Sequence, residues 1–321
     1  YTLIEKRRWY FVISALIIVP GILIMLYSLV TTGSLFRLSN DFVGGSIYEI
    51  RFSGGGVSET DIRRVFSTNG DDDTSIQRVG AAEENRWSIR ASFHDEATTN
   101  RITAALNELS PIDRDYLRVD QVSPSVGEEV TRAALIAVLV ATAVVTGFIV
   151  IAFRRVPKAF RYGICAILAM AHDVLVVCGV ISLFGLLFGR EVDALFLTAL
   201  LTIVGFSVQD TIVLFDRIRE NIPKHLGEPY ETIVNRSILE TVHRSLATQL
   251  NAFFIMIAIL LFGGESIKQF IAILFIGLVS GTYSSIFIAV PLLVSWEKGE
   301  IPLLRKLSKP SLQPQHEASS S

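Results

Sequence analysis

The sequence has little charge, few cysteines and almost no net charge. Of its 321 residues, 19% are Asp, Glu, Lys or Arg and 50% are hydrophobic. That composition is too apolar for a soluble domain of this length. The formal net charge of −2 gives no sign of nucleic-acid binding. The low content of charged residues and the high content of hydrophobic residues indicate a membrane protein.

Two further absences narrow the functions that the sequence allows. The two cysteines, Cys165 and Cys178, lie thirteen residues apart on one predicted helix and are therefore separated by ~20 Å. They can neither form a disulfide with each other nor share a metal. The chain also lacks a G-x-x-x-x-G-K-[ST] motif, so ATP binding is not predicted. No catalytic residue, cofactor or metal site is predicted, and the chain is not expected to be an enzyme.

Six apolar stretches are long enough to cross ~30 Å of hydrocarbon, which takes ~20 residues. By residue number they are 9–30, 132–152, 162–188, 194–215, 245–262 and 267–295. The first stretch exceeds the ~7 to 15 apolar residues of a signal peptide and is predicted to be a retained anchor. Six spans place both termini on the same side of the membrane.

The basic residues near the ends of these spans indicate which side that is. Two of them, Arg190 and Lys268, lie in the short loops opposite the termini. Eleven lie on the side of the termini: Lys6, Arg7, Arg8, Arg154, Arg155, Lys158, Arg161, Arg217, Arg219, Lys224 and Arg236. Because basic residues are retained in the cytoplasm, both termini are predicted to be cytoplasmic.

The chain divides into four predicted segments. Residues 1–30 are the N-terminus with the first span, and 31–130 form a folded extracytoplasmic domain. Residues 131–296 hold the other five spans, and 297–321 form a cytoplasmic tail whose Ser, Pro and Gln content predicts disorder.

The domain at 31–130 alternates between strand and helix patterns. Predicted strands are 45–52, 75–80, 86–93 and 117–122, and predicted helices are 58–66 and 95–109. In the second helix Asp95 is the expected N-cap, and Ile102, Leu106 and Leu109 form the apolar stripe. The order βαββαβ predicts a ferredoxin-like α+β unit.

The charged segment 216–244, between the fourth and fifth spans, also has a helical pattern. Its apolar residues recur at helical spacing at Tyr230, Ile233, Val234, Ile238 and Val242. We expect an amphipathic helix along the cytoplasmic membrane surface. It is either an ordinary connector or a specific docking element.

Two ionisable residues lie at similar distances from the outer ends of consecutive predicted spans, Asp210 inside the fourth and Arg244 directly before the fifth. Asp210 is ~24 Å from the outer end of the fourth span, and Arg244 is ~27 Å from the outer end of the fifth. At matched depth on antiparallel helices the two charges could pair, which would offset the desolvation of each. Protonation of Asp210 would release Arg244, so the pair is a candidate proton switch. The alternative is a static ion pair that fixes helix packing.

His172 and Asp173 lie near the middle of the third predicted span, where an ionisable group costs at least ~2.5 to 3.5 kcal/mol. Adjacent residues on a helix point in different directions, so at most one can point straight at the bundle core. Asp173 is predicted to do so, because an ionised carboxylate tolerates lipid poorly. Both are candidate proton-coupling residues. The alternative for His172 is a neutral ring bonded to a backbone carbonyl.

The sixth predicted span carries small residues at every fourth position, namely Gly277, Gly281 and Ser285. This spacing lets two helix backbones approach closely and predicts a helix-packing face. Pro20 and Pro291 interrupt the first and sixth spans and are predicted to bend them.

Several short stretches carry a family resemblance. The most specific is GFSVQDT at 205–211, followed by FDRIREN at 215–221. It is accompanied by DFVGG at 41–45, AHD at 171–173 and GTYSS at 281–285. Together these residues resemble SecF, the protein-export membrane subunit of the SecD/SecF family in the RND superfamily. The sequence departs from that family at Gln209, where Asn is usual, and at His243 and Ser245, where Ser and Thr are commoner.

The resemblance implies a function and a set of partners. The chain would act with SecD, assist the SecYEG translocon together with YajC, and use protons moving down their gradient to promote export of unfolded proteins. It would lie in the bacterial inner membrane, and its domain at 31–130 would meet the translocating chain. Asp210 and Arg244 fall where the family has its fourth- and fifth-span motifs.

Two other interpretations of the function remain open. A small RND-type exporter of a small molecule or lipid would also have six spans, but about 100 residues is small for a domain that captures substrate. A purely structural membrane scaffold would leave Asp210 and Arg244 unexplained.

Overall fold

The computed structural model describes residues 3–72, 74–80, 84–154 and 159–300. Of the tail predicted to be disordered, 297–321, residues 301–321 lie outside the described part of the chain, and Glu297 is the last residue of a helix. Two compact units are present. Among the described residues, the first is drawn from 3–24, 141–180 and 199–300, and the second from 25–140 and 181–198.

Helices dominate the described residues. In chain order they are α1 (Arg7–Thr32), α2 (Asn40–Val43), α3 (Glu59–Thr68), α4 (Glu96–Leu109), α5 (Pro124–Phe153), α6 (Ala159–Phe188), α7 (Ala194–Lys224), α8 (Tyr230–Phe262), α9 (Glu265–Ser284) and α10 (Val290–Glu297). The strands are β1 (Gly45–Arg51), β2 (Ser75–Val79), β3 (Arg86–Ala91) and β4 (Arg118–Val122).

The six predicted membrane spans are confirmed. Within the described ranges, six helical segments are long and apolar enough to cross a bilayer. They are Ile4–Thr32, Pro124–Phe153, Phe160–Phe188, Ala194–Lys224, Tyr230–Phe262 and Ile267–Glu297. The chain is a multi-pass membrane protein.

The α+β domain between the first two spans is ferredoxin-like, as predicted. Its antiparallel sheet has the strand order β2-β3-β1-β4. Its core is apolar and includes Tyr48, Phe66 and Ile89, each fully buried. These side chains are buried because alternate strand residues and every third or fourth helix residue face inward.

Helix caps fix where the two domain helices begin. Ser58 forms a capping box with Asp61 at the start of α3, and the Asp95 side chain accepts a hydrogen bond from the backbone N–H of Thr98 at the start of α4. Such caps satisfy N–H groups that the first helical turn leaves unpaired. The predicted apolar stripe of α4 is wrong at its end, because Leu109 is 41% exposed.

The segment 216–244 does not form the separate surface helix that its spacing predicts. Residues up to Lys224 continue α7, and Tyr230 begins α8, which runs without a break to Phe262. The apolar side chains of this segment pack against protein, since Val234 and Ile238 are buried in the main core of the first unit. A membrane surface is therefore not required to cover them.

The two prolines in the spans have different effects. Pro20 lies inside α1, which continues through it. Pro291 lies in the first turn of α10, directly after a π-helical turn at Ser285–Ala289. Proline has no N–H to donate to the preceding turn, and the wider π turn accommodates that loss.

Candidate functional site

Asp173 on α6 is fully buried in the first unit, at 0% exposure, and accepts four hydrogen bonds. Its Oδ2 atom accepts from the hydroxyls of Ser207 on α7 and Ser284 on α9, each at 2.6 Å. Its Oδ1 atom accepts from the Ser280 hydroxyl at 2.7 Å and lies 3.0 Å from Nδ1 of His172. Three helices therefore meet at one carboxylate.

His172 connects this carboxylate to α1. Its Nε2 atom lies 3.1 Å from the Ser14 hydroxyl, which is 3.5 Å from the hydroxyl of Tyr283 on α9. Tyr283 donates in turn to the backbone carbonyl of Tyr10 at 3.0 Å. His172 is thus bonded to two side chains, and the expected alternative of a backbone carbonyl partner is wrong.

The network is satisfied with His172 neutral or protonated. In the neutral ring Nδ1–H donates to Asp173, and Nε2 accepts from Ser14. In the protonated ring Nε2–H donates to Ser14, whose hydroxyl then donates to Tyr283. The two arrangements of hydrogen bonds differ only in the orientation of the Ser14 hydroxyl.

Glycines on α9 allow the close approach that brings the serines to Asp173. A side chain at Gly277 would overlap Ile203 of α7, and a Cβ at Gly281 would lie 3.5 Å from the backbone of Ser207. The sequence left open which helix faces these glycines, and the structure places α7 there. Ser285, the third residue of the predicted face, is 3% exposed and donates to the carbonyl of Thr282.

Substitution at this contact should destabilise the bundle. In Gly281→Leu the added atoms would have to enter the space held by Ser207 and the Asp173 carboxylate, whose Oδ2 would lie 3.7 Å from the new Cβ. Overpacking of this kind costs about 1 to 3 kcal/mol. We expect a lower melting temperature and less folded protein in membranes.

The matched control is Gly147→Leu on α5, where a Cβ meets nothing within 4 Å. That variant should melt with the wild type. Equal melting temperatures for Gly281→Leu and wild type would show that the close contact between α7 and α9 is not structural.

Asp210 and Arg244 are not brought together as their depth predicted. Asp210, half-buried on α7, accepts a hydrogen bond from Gln249 of α8. Arg244 is exposed and forms no ion pair with any residue that the structure describes. Gln249 is five residues after Arg244, which is ~7.5 Å along the helix and ~140° around it. Arg244 therefore lies at a different level from the residue that contacts Asp210, and on another face of α8.

Polar groups on α7 and α8 are left uncovered at this position. Gln209 on α7 and Arg244, Thr248 and Asn251 on α8 are all exposed, although they lie in spanning helices. We call these four residues together with Asp210 the α7–α8 polar surface. Arg244 also lines a cavity of about 330 Å³ at one end of this surface, with Glu220 and Glu240.

The sequence indicated the carboxylate and imidazole but not the hydroxyls that surround them. Ser14, Ser207, Ser280, Ser284 and Tyr283 are each ordinary in an apolar helix. A signal was present in the spacing of Ser280 and Ser284, which lie four residues apart and so share one helix face.

Comparison with known proteins gives consistent matches over most of the chain. Residues 101–299 match the family model described as protein export membrane protein SecD/SecF, C-terminal. Protein translocase subunit SecF of Anaerolinea thermophila is 42% identical over 302 residues, covering 93% of this chain and 94% of that protein. The subunit of the same name from Thermobaculum terrenum is 39% identical over 328 residues, covering 96% and 98%.

Solved structures match as well. The crystal structure of SecDF from Thermus thermophilus, described as a translocon-associated membrane protein, superposes with a TM-score of 0.74 at 30% identity. The match covers 93% of this chain and 39% of that one. SecDF in a super-membrane-facing form gives a TM-score of 0.64 at 28% identity, over 96% and 40%. The chain thus spans about two fifths of the solved SecDF chains.

Proposed function

Since this chain belongs to the SecD/SecF family of protein-export membrane proteins and is a subunit of the Sec translocation machinery that acts with SecD, we propose that it couples proton movement to export through Asp173. The observation that carries this proposal is the complete burial of that carboxylate among four hydrogen-bond donors on three helices. His172 would pass the proton, because it joins Asp173 to the hydroxyl chain on α1 and α9.

Protonation changes how many hydrogen bonds this carboxylate can accept. The ionised form accepts from Ser207, Ser280, Ser284 and His172 together, whereas the protonated form carries a donor on one oxygen. One of the hydroxyls must then turn to accept, or its helix must move. Because Ser207 is on α7 and Ser280 and Ser284 are on α9, proton occupancy would bias the contact between those helices.

We propose that Asp210 and Arg244 take part through the partner subunit. An exposed guanidinium inside a span is costly in lipid, so a stable complex must cover it. Helices of SecD would bury the α7–α8 polar surface and supply counter-charges. On this proposal Asp210 and Arg244 do not pair with each other, and each has its partner group on SecD.

The other expected partners extend this proposal. The α+β domain would lie outside the cytoplasmic membrane, where it would contact unfolded proteins leaving the SecYEG channel, and YajC would join the same complex. The excess of basic residues near the termini supports a cytoplasmic location for both. The chain would perform no enzymatic reaction and need no cofactor.

The test measures export in cells whose sole copy of this subunit is the present chain. Secretion of a reporter should be faster than in cells lacking the subunit, and the difference should disappear when an uncoupler collapses the proton gradient. A difference that survives the uncoupler would contradict proton coupling. Normal secretion without the subunit, with loss of resistance to a toxic amphiphile, would instead favour the RND-type exporter.

A further inference from the structure

The second unit contains a cavity of about 530 Å³ where α1 and α6 end beside the α+β domain. Its lining combines hydroxyl groups, including those of Thr32, Ser34 and Ser182, with apolar side chains such as Leu186. One cationic side chain, Arg37, completes the lining. The cavity is therefore amphipathic, with a single charged group.

Arg37 belongs to a cluster in which two guanidinium groups share one carboxylate. Arg90 of β3 holds both oxygens of Glu191, whereas Nε of Arg37 is 3.7 Å from Glu191 Oε1. Burial and the charge of Arg37 lower the pKa of Arg90 to about 10, so the Arg90 guanidinium remains a cation at neutral pH. The Arg37 guanidinium is thus weakly compensated and would be stabilised by an anion.

The surroundings of the cavity have the features expected at a membrane interface. Tyr27, five residues before Thr32 on α1, is 62% exposed, as expected of a residue in an aromatic belt. Val30 on the same helix and Phe188 at the end of α6 are 85% and 69% exposed. Apolar helix surface therefore leads from the lipid-facing side of α1 and α6 up to the cavity.

We propose that this cavity binds the head group of an anionic phospholipid, with its phosphate at Arg37 and its acyl chains along α1 and α6. A glycerol head group suits the remaining lining, because its hydroxyls can donate to the oxygens of Thr32, Ser34 and Ser182. Those side chains already donate to backbone carbonyls within the second unit and keep lone pairs free to accept.

Lipid binding is tested on the full chain purified in a mild, lipid-free detergent. Phosphatidylglycerol, phosphatidylethanolamine and inorganic phosphate are added separately, and bound molecules are counted by native mass spectrometry alongside the melting temperature. Phosphatidylglycerol should bind one molecule per chain and raise the melting temperature by several degrees. Equal binding of the zwitterionic lipid, or the same shift with inorganic phosphate, would overturn the assignment to an anionic lipid.

Two variants test separately how the charge and the shape of the site contribute to lipid binding. Arg37→Gln removes the cation and should weaken phosphatidylglycerol binding about tenfold. Leu186→Trp fills the cavity from an exposed position and should block binding with no change of charge. Arg118→Gln on β4 removes an exposed guanidinium that does not line the cavity and is the control. Wild-type affinity in both test variants, or an equal loss in the control, would refute the site.

Discussion

Asp173→Asn is expected to abolish export that depends on the proton gradient while leaving the subunit folded and abundant in the membrane. Asparagine preserves the size of the side chain, and its carbonyl oxygen can still accept from two donors. Its amide group can donate to Ser207 and Ser284 once those hydroxyls rotate. Because the site is adjustable in this way, the main loss is the titratable proton. The secretion rate should fall to that of cells lacking the subunit.

Asp120→Asn on β4 is the matched control, because that carboxylate is exposed. Its secretion rate and membrane level should equal those of the wild type. A purely structural role for Asp173 predicts another pattern, in which Asn lowers the protein level and export falls only in proportion. Normal, gradient-dependent export by Asp173→Asn would show that this carboxylate is not the proton carrier.

Most of the fold could be predicted because local rules agree with it. The lengths of the apolar stretches determine the spans, and the domain helices begin at caps, Ser58 and Asp95, that the sequence displays. Element ends were less predictable. Leu109 fits the apolar stripe of α4 by spacing, but it lies in the last turn, where the helix has passed the edge of the core and the side chain is exposed.

The candidate site was predicted only in part, because an ionisable residue in a span is conspicuous and a serine is not. Asp173 and His172 were found through the cost of placing them in lipid. The hydroxyls of Ser207, Ser280 and Ser284 could not be assigned, since serine is common where helices pack closely. Which serines meet the carboxylate depends on the rotation of α7 and α9 about their axes, which tertiary packing determines.

The error at Arg244 has a related cause. Depth along a span follows from counting residues, and it placed Asp210 and Arg244 at one level. The observed partner lies five residues further along α8, which is ~7.5 Å along the helix axis and ~140° around it, so both the level and the facing direction differ from those predicted. Gln249 takes the place expected for Arg244. The prediction of a surface helix at 216–244 was also wrong, because helical periodicity does not say whether protein or lipid covers the apolar face.

Asp210→Asn and Arg244→Ala are each expected to impair export without destabilising the isolated subunit. Asp210 contacts Gln249, and Arg244 is exposed, so neither substitution strands a buried partner within this chain. The stability of the purified subunit should therefore stay within the range of surface substitutions, about ±0.5 kcal/mol. Co-purification with SecD should fall roughly tenfold for Arg244→Ala, because the interface would lose the guanidinium that its counter-charges cover.

The double variant discriminates between the two roles for this pair. A static ion pair within the subunit predicts that Asp210→Asn combined with Arg244→Ala recovers export, because removing both charges leaves neither unpaired. Completion of the site by SecD predicts no recovery, since each residue then has its own partner across the interface. Secretion rate and SecD co-purification are measured for both single variants, the double variant and Arg118→Gln as control. Recovery of export in the double variant would support the static ion pair. Full gradient-dependent export by Asp210→Asn would show that Asp210 is not part of the proton path.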